Sequence, residues 1–579
     1  MKKFLIIGMS LLCASVIKAD SSEKTINLRI IETSDVHGSF FPYDFIERKP
    51  LEGTLARVNT YVNRLRKDYG DRLLLLDNGD ILQGQPLNYW SNFVNTNEEN
   101  IAASVVNYMR YDAQTIGNHD IETGHQVYDK WIKEVRCPML GANIIQTETG
   151  KSYVEPYTII EREGVKIAII GMLTPAIPCW LHESIWEGLT FQEMVSSARK
   201  WIKYVKDIEH ADIVLGLFHS GKDGGIMLDN GIEENATARI AREVPGFDII
   251  FYGHDHTRNK EWIVNSAGEK VLILDPANRS THISDASIKL TIKDGKITHK
   301  SINGELVNIC QEKIDEDMIN HFQKQIESVK QFADRRICRF DYTITTRDSY
   351  FGNSAFTDFI HNMMLKISKA DISFNAPLSF DSSIKAGDIT VADMFNLYKY
   401  ENKLYVLKMT GKEIKDYLEE SYARWVNTMQ NANDHLLLLQ ETKTDGQQHM
   451  RFKNFSFNFD SASGIDYEVD VTKPDGQKIR ILCLSNGEPF YENKTYKVAM
   501  NSYRGNGGGE LITKGAGIAT DKIEERIIHK YPLDLRHYMM EEMQQMEHIK
   551  PIPNNNWKFV PEAWTIPAAQ RDRQLLFGE

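Results

Sequence analysis

Asp248-Ile-Ile-Phe-Tyr252 runs directly into Gly253-His-Asp-His256. The apolar run is too short for a helix and reads as a strand buried on both faces. Glycine then turns the chain, and two imidazoles follow two positions apart, close enough to reach one centre. Five earlier segments repeat the pattern of apolar run and turn. Leu28–Ile31 leads into Glu32-Thr-Ser-Asp-Val-His-Gly38, and Leu73–Leu76 into Asp77-Asn-Gly-Asp80. Thr115-Ile116 leads into Gly117-Asn-His-Asp120, Val165–Ile170 into Gly171-Met-Leu-Thr-Pro175, and Ile213–Phe218 into His219-Ser-Gly221. Amphipathic stretches between them, Leu55–Lys67 and Met194–Ile208, read as helices. The alternation predicts a layered α/β domain.

The polar residues fall where such a fold can use them. Asp35, His37, Asp80, Asn118, His219, His254 and His256 all follow the C-terminal end of an expected strand, the edge where open α/β sheets place their ligand crevices. Carboxylates, imidazoles and an amide oxygen, without thiolate, are donors for Zn, Mn, Fe or Mg. Seven exceed the needs of one tetrahedral ion and suit two ions sharing a carboxylate. Such a pair, about 3.5–4 Å apart, stabilises both oxygens of an in-line phosphoryl displacement.

The rest of the chain bounds the class. Its 579 residues allow several domains, and 42% hydrophobic with 26% charged residues is a globular composition. A formal charge of −12 disfavours partnership with duplex nucleic acid or anionic lipid. Lys2 and Lys3 precede the mostly apolar Phe4–Ile17, and Ala19 offers a small residue before Asp20, so residues 1–19 read as a signal peptide of an exported, periplasmic protein. The apolar stretch is shorter than the roughly 20 residues of a spanning helix. Leu12 before Cys13 is bulky for a lipoprotein site. The remaining cysteines, at 137, 179, 310, 338 and 483, are odd in number, so at least one is free or pairs outside the chain. A monomer is expected.

A metal-bearing domain over 25–310 is followed by a charged stretch, 311–337, with apolar residues at 314, 318, 319, 322, 326, 329 and 332, which predicts one amphipathic linker helix. A second α/β pattern fills 338–545, and 546–579 forms a tail of unassigned position. Distinctive segments of the second pattern are Gly352-Asn-Ser-Ala-Phe-Thr-Asp-Phe-Ile-His361, Ala370-Asp-Ile-Ser-Phe-Asn-Ala-Pro-Leu378 and Gly387-Asp-Ile-Thr-Val-Ala-Asp393. Leu397-Tyr-Lys-Tyr-Glu-Asn402 and Asn501-Ser-Tyr-Arg-Gly-Asn-Gly-Gly-Gly509 complete the set.

The ordered donors of residues 27–290 resemble those of the calcineurin-like metallophosphoesterases. The second-half segments resemble the C-terminal domain of the exported 5′-nucleotidases, particularly their 2′,3′-cyclic-nucleotide 2′-phosphodiesterase/3′-nucleotidase branch. The resemblance implies a metallophosphoesterase sandwich joined by a helix to a nucleotide-binding α/β domain. It implies that Asp35, His37, Asp80 and His256 hold one divalent ion, and Asp80, Asn118, His219 and His254 a second. His119 matches a non-ligand histidine that stabilises the transferring phosphoryl group, with Glu122 at the position of its supporting acid. Tyr400 and Tyr503 match the aromatic pair that sandwiches the base, flanked by Asn402 and Arg504. Asn375 falls where the 5′-nucleotidase branch carries Asn-Gly-Gly-Gly-Ile-Arg; here Asn-Ala-Pro-Leu-Ser-Phe lacks the arginine, which favours the cyclic branch. The alternatives are a 5′-nucleotidase/UDP-sugar hydrolase, an inactive nucleotide-binding surface protein, and a phosphoprotein phosphatase.

Overall fold

Short apolar segments that bury both faces build the first half. The computed structural model describes residues 23–228, 231–444 and 447–579. The expected signal peptide and Cys13 lie outside the described residues. One six-stranded sheet contains Glu23–Thr33, Leu73–Asp77, Ala113–Thr115 and Met139–Leu140 as parallel neighbours, with His282–Lys293 and Lys296–Asn308 added antiparallel at one edge. A second holds Val165–Leu173, Ile213–His219, Ile249–Tyr252 and Lys270–Asp275 in parallel, with antiparallel edges Tyr157–Arg162 and Asn259–Val264.

The sheets pack face to face through Leu28, Ile30, Leu74 and Leu76 against Ile167, Leu215, Leu217 and Phe251. Alternate residues of the same strands face outward onto helices. Ile31, Leu73 and Leu75 pack with Val58 and Val62 of the helix Leu55–Tyr69. Val214, Phe218 and Ile250 pack with Ala198 and Ile202 of the helix Met194–Asp207. Period-2 alternation therefore serves two apolar layers, which is why the strands read as unbroken hydrophobic runs.

The linker differs from expectation. It is two helices, Glu316–His321 and Gln323–Ala333, and Arg336–Phe340 is already a strand of the second half. The break is at Phe322, with φ −98° and ψ 10°. Its ring is buried against Phe41 and Tyr108 of the first half, and that packing outweighs helix continuity.

The second half is built on a five-stranded sheet in the order Ser461–Ser463, Ile372–Asn375, Thr495–Asn501, Lys403–Thr410, Ile527–Asp534. Trp425, Tyr417 and Leu407 fill one core, and Phe359, Leu404 and Met539 another. The tail docks here: Trp557–Val560 pairs in parallel with Ile465–Asp470, and the helix Glu562–Phe577 follows. No disulfide joins the five cysteines of the described residues. No helix among the described residues is long and apolar enough to cross a membrane.

Candidate metal centre and interdomain cleft

The seven donors meet at the C-terminal ends of the central strands of both sheets. The turns that carry them are strained. Asp35, His37, Asp80, His254 and His256 all have φ between 47° and 78°. Non-glycine residues held there cost on the order of 1–3 kcal/mol each and concentrate at working sites. Two glycines make room. A Cβ on Gly253 would collide with Ser34 Oγ and Asp35 Oδ2, and one on Gly117 with Asp80 Oδ1.

Asp35, His37 and His256 converge with their ligand atoms within 4.8 Å of one another, as do Asp35, Asp80 and His219. Asp80 Oδ2 lies 3.9 Å from His37 Nε2 and 3.3 Å from His219 Nε2, between the two groups. Asn118 Oδ1 is 3.0 Å from His219 Nε2 and 2.8 Å from His254 Nδ1.

The outer nitrogens of three imidazoles are occupied, which fixes what the inner ones offer. His219 Nδ1 donates to the Asn78 carbonyl at 2.7 Å and His37 Nδ1 to the Gln83 carbonyl at 3.3 Å. His254 Nε2 donates to Glu234 Oε1 at 2.9 Å. His37 Nε2 therefore presents a lone pair 3.1 Å from His256 Nε2, which is itself 3.3 Å from Asp35 Oδ1. Asp35 Oδ1 is buried with no hydrogen bond. Imidazole lone pairs and carboxylate and amide oxygens converging in this way fit a divalent metal. The first half thus brings all seven expected donors together.

His119 stands beside these donors without joining either group. Its N–H donates to Asp80 Oδ1 at 2.8 Å, and its Nδ1 lies 2.6 Å from Glu122 Oε2, three residues on in the short helix Asn118–Glu122. Burial alone would lower its pKa; the carboxylates of Asp80 and Glu122 outweigh that and raise it to about 9. Asp120, not singled out from sequence, accepts backbone N–H groups from Asp80, Ile81, Leu82 and Gly117 at 2.8–2.9 Å and braces the Asp80 turn. Burial, then the neighbouring Asp80, push its carboxyl up to about 6.

The second half faces this centre across a cavity of about 210 Å³. Asn118, His119 and His254 line one wall; Tyr400, Asn402 and Tyr503 line the other. Glu122 and Leu378 also line it, as do Trp180, Leu181, Phe457 and Asn501, which were not among the sequence candidates. Asn501 opens one of the distinctive segments, whereas nothing in the local sequence marked Trp180, Leu181 and Phe457, which distant parts of the chain deliver.

Two expectations are corrected. Arg504 does not face the cavity. Its guanidinium is buried, bonds Asp460 at 3.0 Å, and reaches Asn458 Oδ1 at 3.0 Å and the Gly508 carbonyl at 2.9 Å. Those bonds consume its donors and hold the loop that carries Phe457. Asn375 ends a central strand, is buried, does not line the cavity, and its amide has no hydrogen-bond partner.

Residues 28–258 match the calcineurin-like phosphoesterase family model, and residues 332–514 match that of the 5′-nucleotidase C-terminal domain. The chain therefore joins a calcineurin-like phosphoesterase domain to a 5′-nucleotidase C-terminal domain, the make-up of the nucleotide phosphoesterases, which are hydrolases. Among known proteins it is 26% identical to the trifunctional nucleotide phosphoesterase YfkN of Bacillus subtilis, over 97% of this chain but only 41% of that relative. It is 25% identical to the 2′,3′-cyclic-nucleotide 2′-phosphodiesterase/3′-nucleotidase of Salmonella typhimurium, over 95% of this chain and 91% of the relative. The fold matches a putative 5′-nucleotidase from Staphylococcus aureus with a TM-score of 0.74 and 22% identity, covering 92% of this chain and all of that one.

Proposed function

We propose that the protein hydrolyses 2′,3′-cyclic nucleotides to 3′-nucleotides, and these to nucleoside and phosphate. One observation carries the reading: a single cavity has oxygen and imidazole donors on one wall and Tyr400 with Tyr503 on the other. An aromatic surface against a base contributes about 1–3 kcal/mol and tolerates different bases. A phosphoprotein phosphatase has no use for it.

Two divalent ions, Zn, Mn, Fe or Mg, held by Asp35, His37, Asp80 and His256 and by Asp80, Asn118, His219 and His254, would supply charge stabilisation for in-line displacement and acidify the attacking water. The tyrosines hold the base and present the phosphate to His119. Water oxygen bonds to phosphorus as the bond to the 2′ oxygen breaks; His119 gives that oxygen its proton, the water sheds one to solvent, and His119 takes a proton back from solvent before the next cycle. Glu122 keeps the imidazole oriented. The resulting 3′-monoester rebinds and loses phosphate by the same displacement.

A 5′-nucleotidase is the second reading. It is favoured by a 26% identical Vibrio cholerae 5′-nucleotidase, whose match spans 69% of this chain. The missing arginine after Asn375 counts against it. Lys2, Lys3 and the apolar stretch after them support export to the periplasm; nucleotides are the proposed substrates and a monomer the proposed state.

The test is steady-state kinetics on cyclic, 3′- and 5′-nucleotides with Mn or Zn add-back. The cyclic and 3′ substrates should lead, chelation should abolish turnover, and a folded Asp80→Ala variant should be inactive. Full activity after chelation, or AMP as the best substrate, would refute the reading.

A further inference from the structure

A second, smaller pocket also borders His119. It is about 10 Å³, the size of one water molecule. The first domain lines it with Leu82, Tyr89, His119 and Glu122; the second contributes Glu401. Glu401 directly follows the clamp residue Tyr400.

Glu401 is held unusually firmly for a carboxylate at a domain boundary. Its Oε1 accepts from Arg536 Nη2 at 2.6 Å. The Arg536 guanidinium is fully buried, 3.8 Å over the Phe395 ring and 5.1 Å over the Tyr89 ring. Tyr89, from the first domain, also donates its hydroxyl to Asp534 at 3.1 Å. The Leu535 N–H donates to the Asn402 carbonyl at 2.8 Å, tying the Arg536 helix to the clamp segment. Against this rigid backing, Glu401 Oε2 is buried and has no hydrogen-bond partner. Leaving such an oxygen unsatisfied costs about 1–3 kcal/mol, so its retention calls for a use. Burial, with help from Glu122 and Asp534 and against Arg536, raises its pKa to about 7.

We propose that Glu401 is a positioning residue for the hydrolysis: delivered by the second domain, it closes the pocket beside His119 and Glu122 and holds the imidazole aimed at the leaving oxygen. The inference rests on the reading of His119 as proton donor given above. It also links binding to chemistry. A base seated against Tyr400 fixes the next residue, and His119 is completed only when the domains meet.

The experiment uses the full-length, metal-loaded enzyme and a series of aryl phosphates from 4-nitrophenyl to phenyl phosphate, which needs no nucleotide. A donor that protonates the leaving oxygen matters more as that oxygen becomes more basic. Glu401→Gln keeps the shape and an acceptor for Arg536 but turns the free oxygen into an amide. It should lower kcat for phenyl phosphate about tenfold and for 4-nitrophenyl phosphate less than threefold. His119→Ala should show a larger bias of the same kind. Glu401→Asp, too short to fill the pocket, should repeat the glutamine result and serves if that variant fails to fold. Equal losses on both esters, or none, in the Glu401 variants while His119→Ala shows the bias would overturn the inference alone. No bias in His119→Ala would overturn the proton-donor reading together with it.

Discussion

His361 lies wholly buried between two hydroxyls, with Nδ1 2.8 Å from Ser373 Oγ and Nε2 3.1 Å from Ser461 Oγ. Burial lowers its pKa to about 3. The unfolded chain takes up this proton near pH 6.5, and the folded protein resists it until about pH 3. Stability from this group is therefore full above about pH 6.5 and declines as pH falls through that window, by about 1.4 kcal/mol per pH unit. His361→Gln removes the dependence. Urea unfolding at pH 7 and pH 5 should show the gap between wild type and variant narrowing by about 2 kcal/mol on acidification. A constant gap would mean that folding leaves the proton affinity of this imidazole unchanged. At this scale the seven converging donors were legible because each follows an apolar run at a turn. Arg504 was not: a guanidinium that holds a loop through Asp460 reads in sequence like one that holds a phosphate.

At the scale of elements, the central strands announced themselves through continuous apolar runs, since both faces of each sheet are covered. The tail did not. Trp557–Val560 is a strand only because Ile465–Asp470, ninety positions earlier, lies free to pair with it. Its docking is specific. The Trp557 and Tyr467 rings stack at 5.7 Å and 10°, and Asn556 Nδ2 donates to the Ala462 and Ile465 carbonyls at 2.9 and 2.7 Å. Trp557 is 4% exposed within the main core of the second domain. Trp557→Ala should cost about 3–5 kcal/mol by removing a large buried ring. The urea midpoint should fall accordingly, and an unchanged midpoint would show that the tail merely rests on the surface. The linker illustrates the same limit, since only tertiary packing of Phe322 explains its break.

At the scale of the whole molecule, chemistry and recognition are divided between domains. The seven expected metal donors and His119 belong to the first and Tyr400 and Tyr503 to the second, and Asn118, His119, His254 and both tyrosines border one cavity. Other contacts join the two domains. Arg48 pairs with Asp334 at 3.1 Å and Asp393 at 3.4 Å, Asn396 donates to Glu47 at 2.9 Å, and His182 meets Glu524 at 3.2 Å. Most of these bonds join exposed or half-exposed polar groups, and such pairs contribute little individually; the buried packing of Tyr89 against Arg536 and Phe395 is the firmer link between the domains. The division also predicts how damage separates. Tyr400→Ala deletes a stacking partner without touching a metal donor. A loss of about 1–3 kcal/mol in base binding corresponds to a KM for nucleotides raised about 5- to 150-fold. With the phosphate still held at the metal wall, kcat at saturation should stay within about threefold. Michaelis curves for a 3′-nucleotide on wild type and variant decide the matter. A collapse of kcat at unchanged KM would place Tyr400 in the chemical step rather than in recognition, and the two domains would then not divide the work in this way.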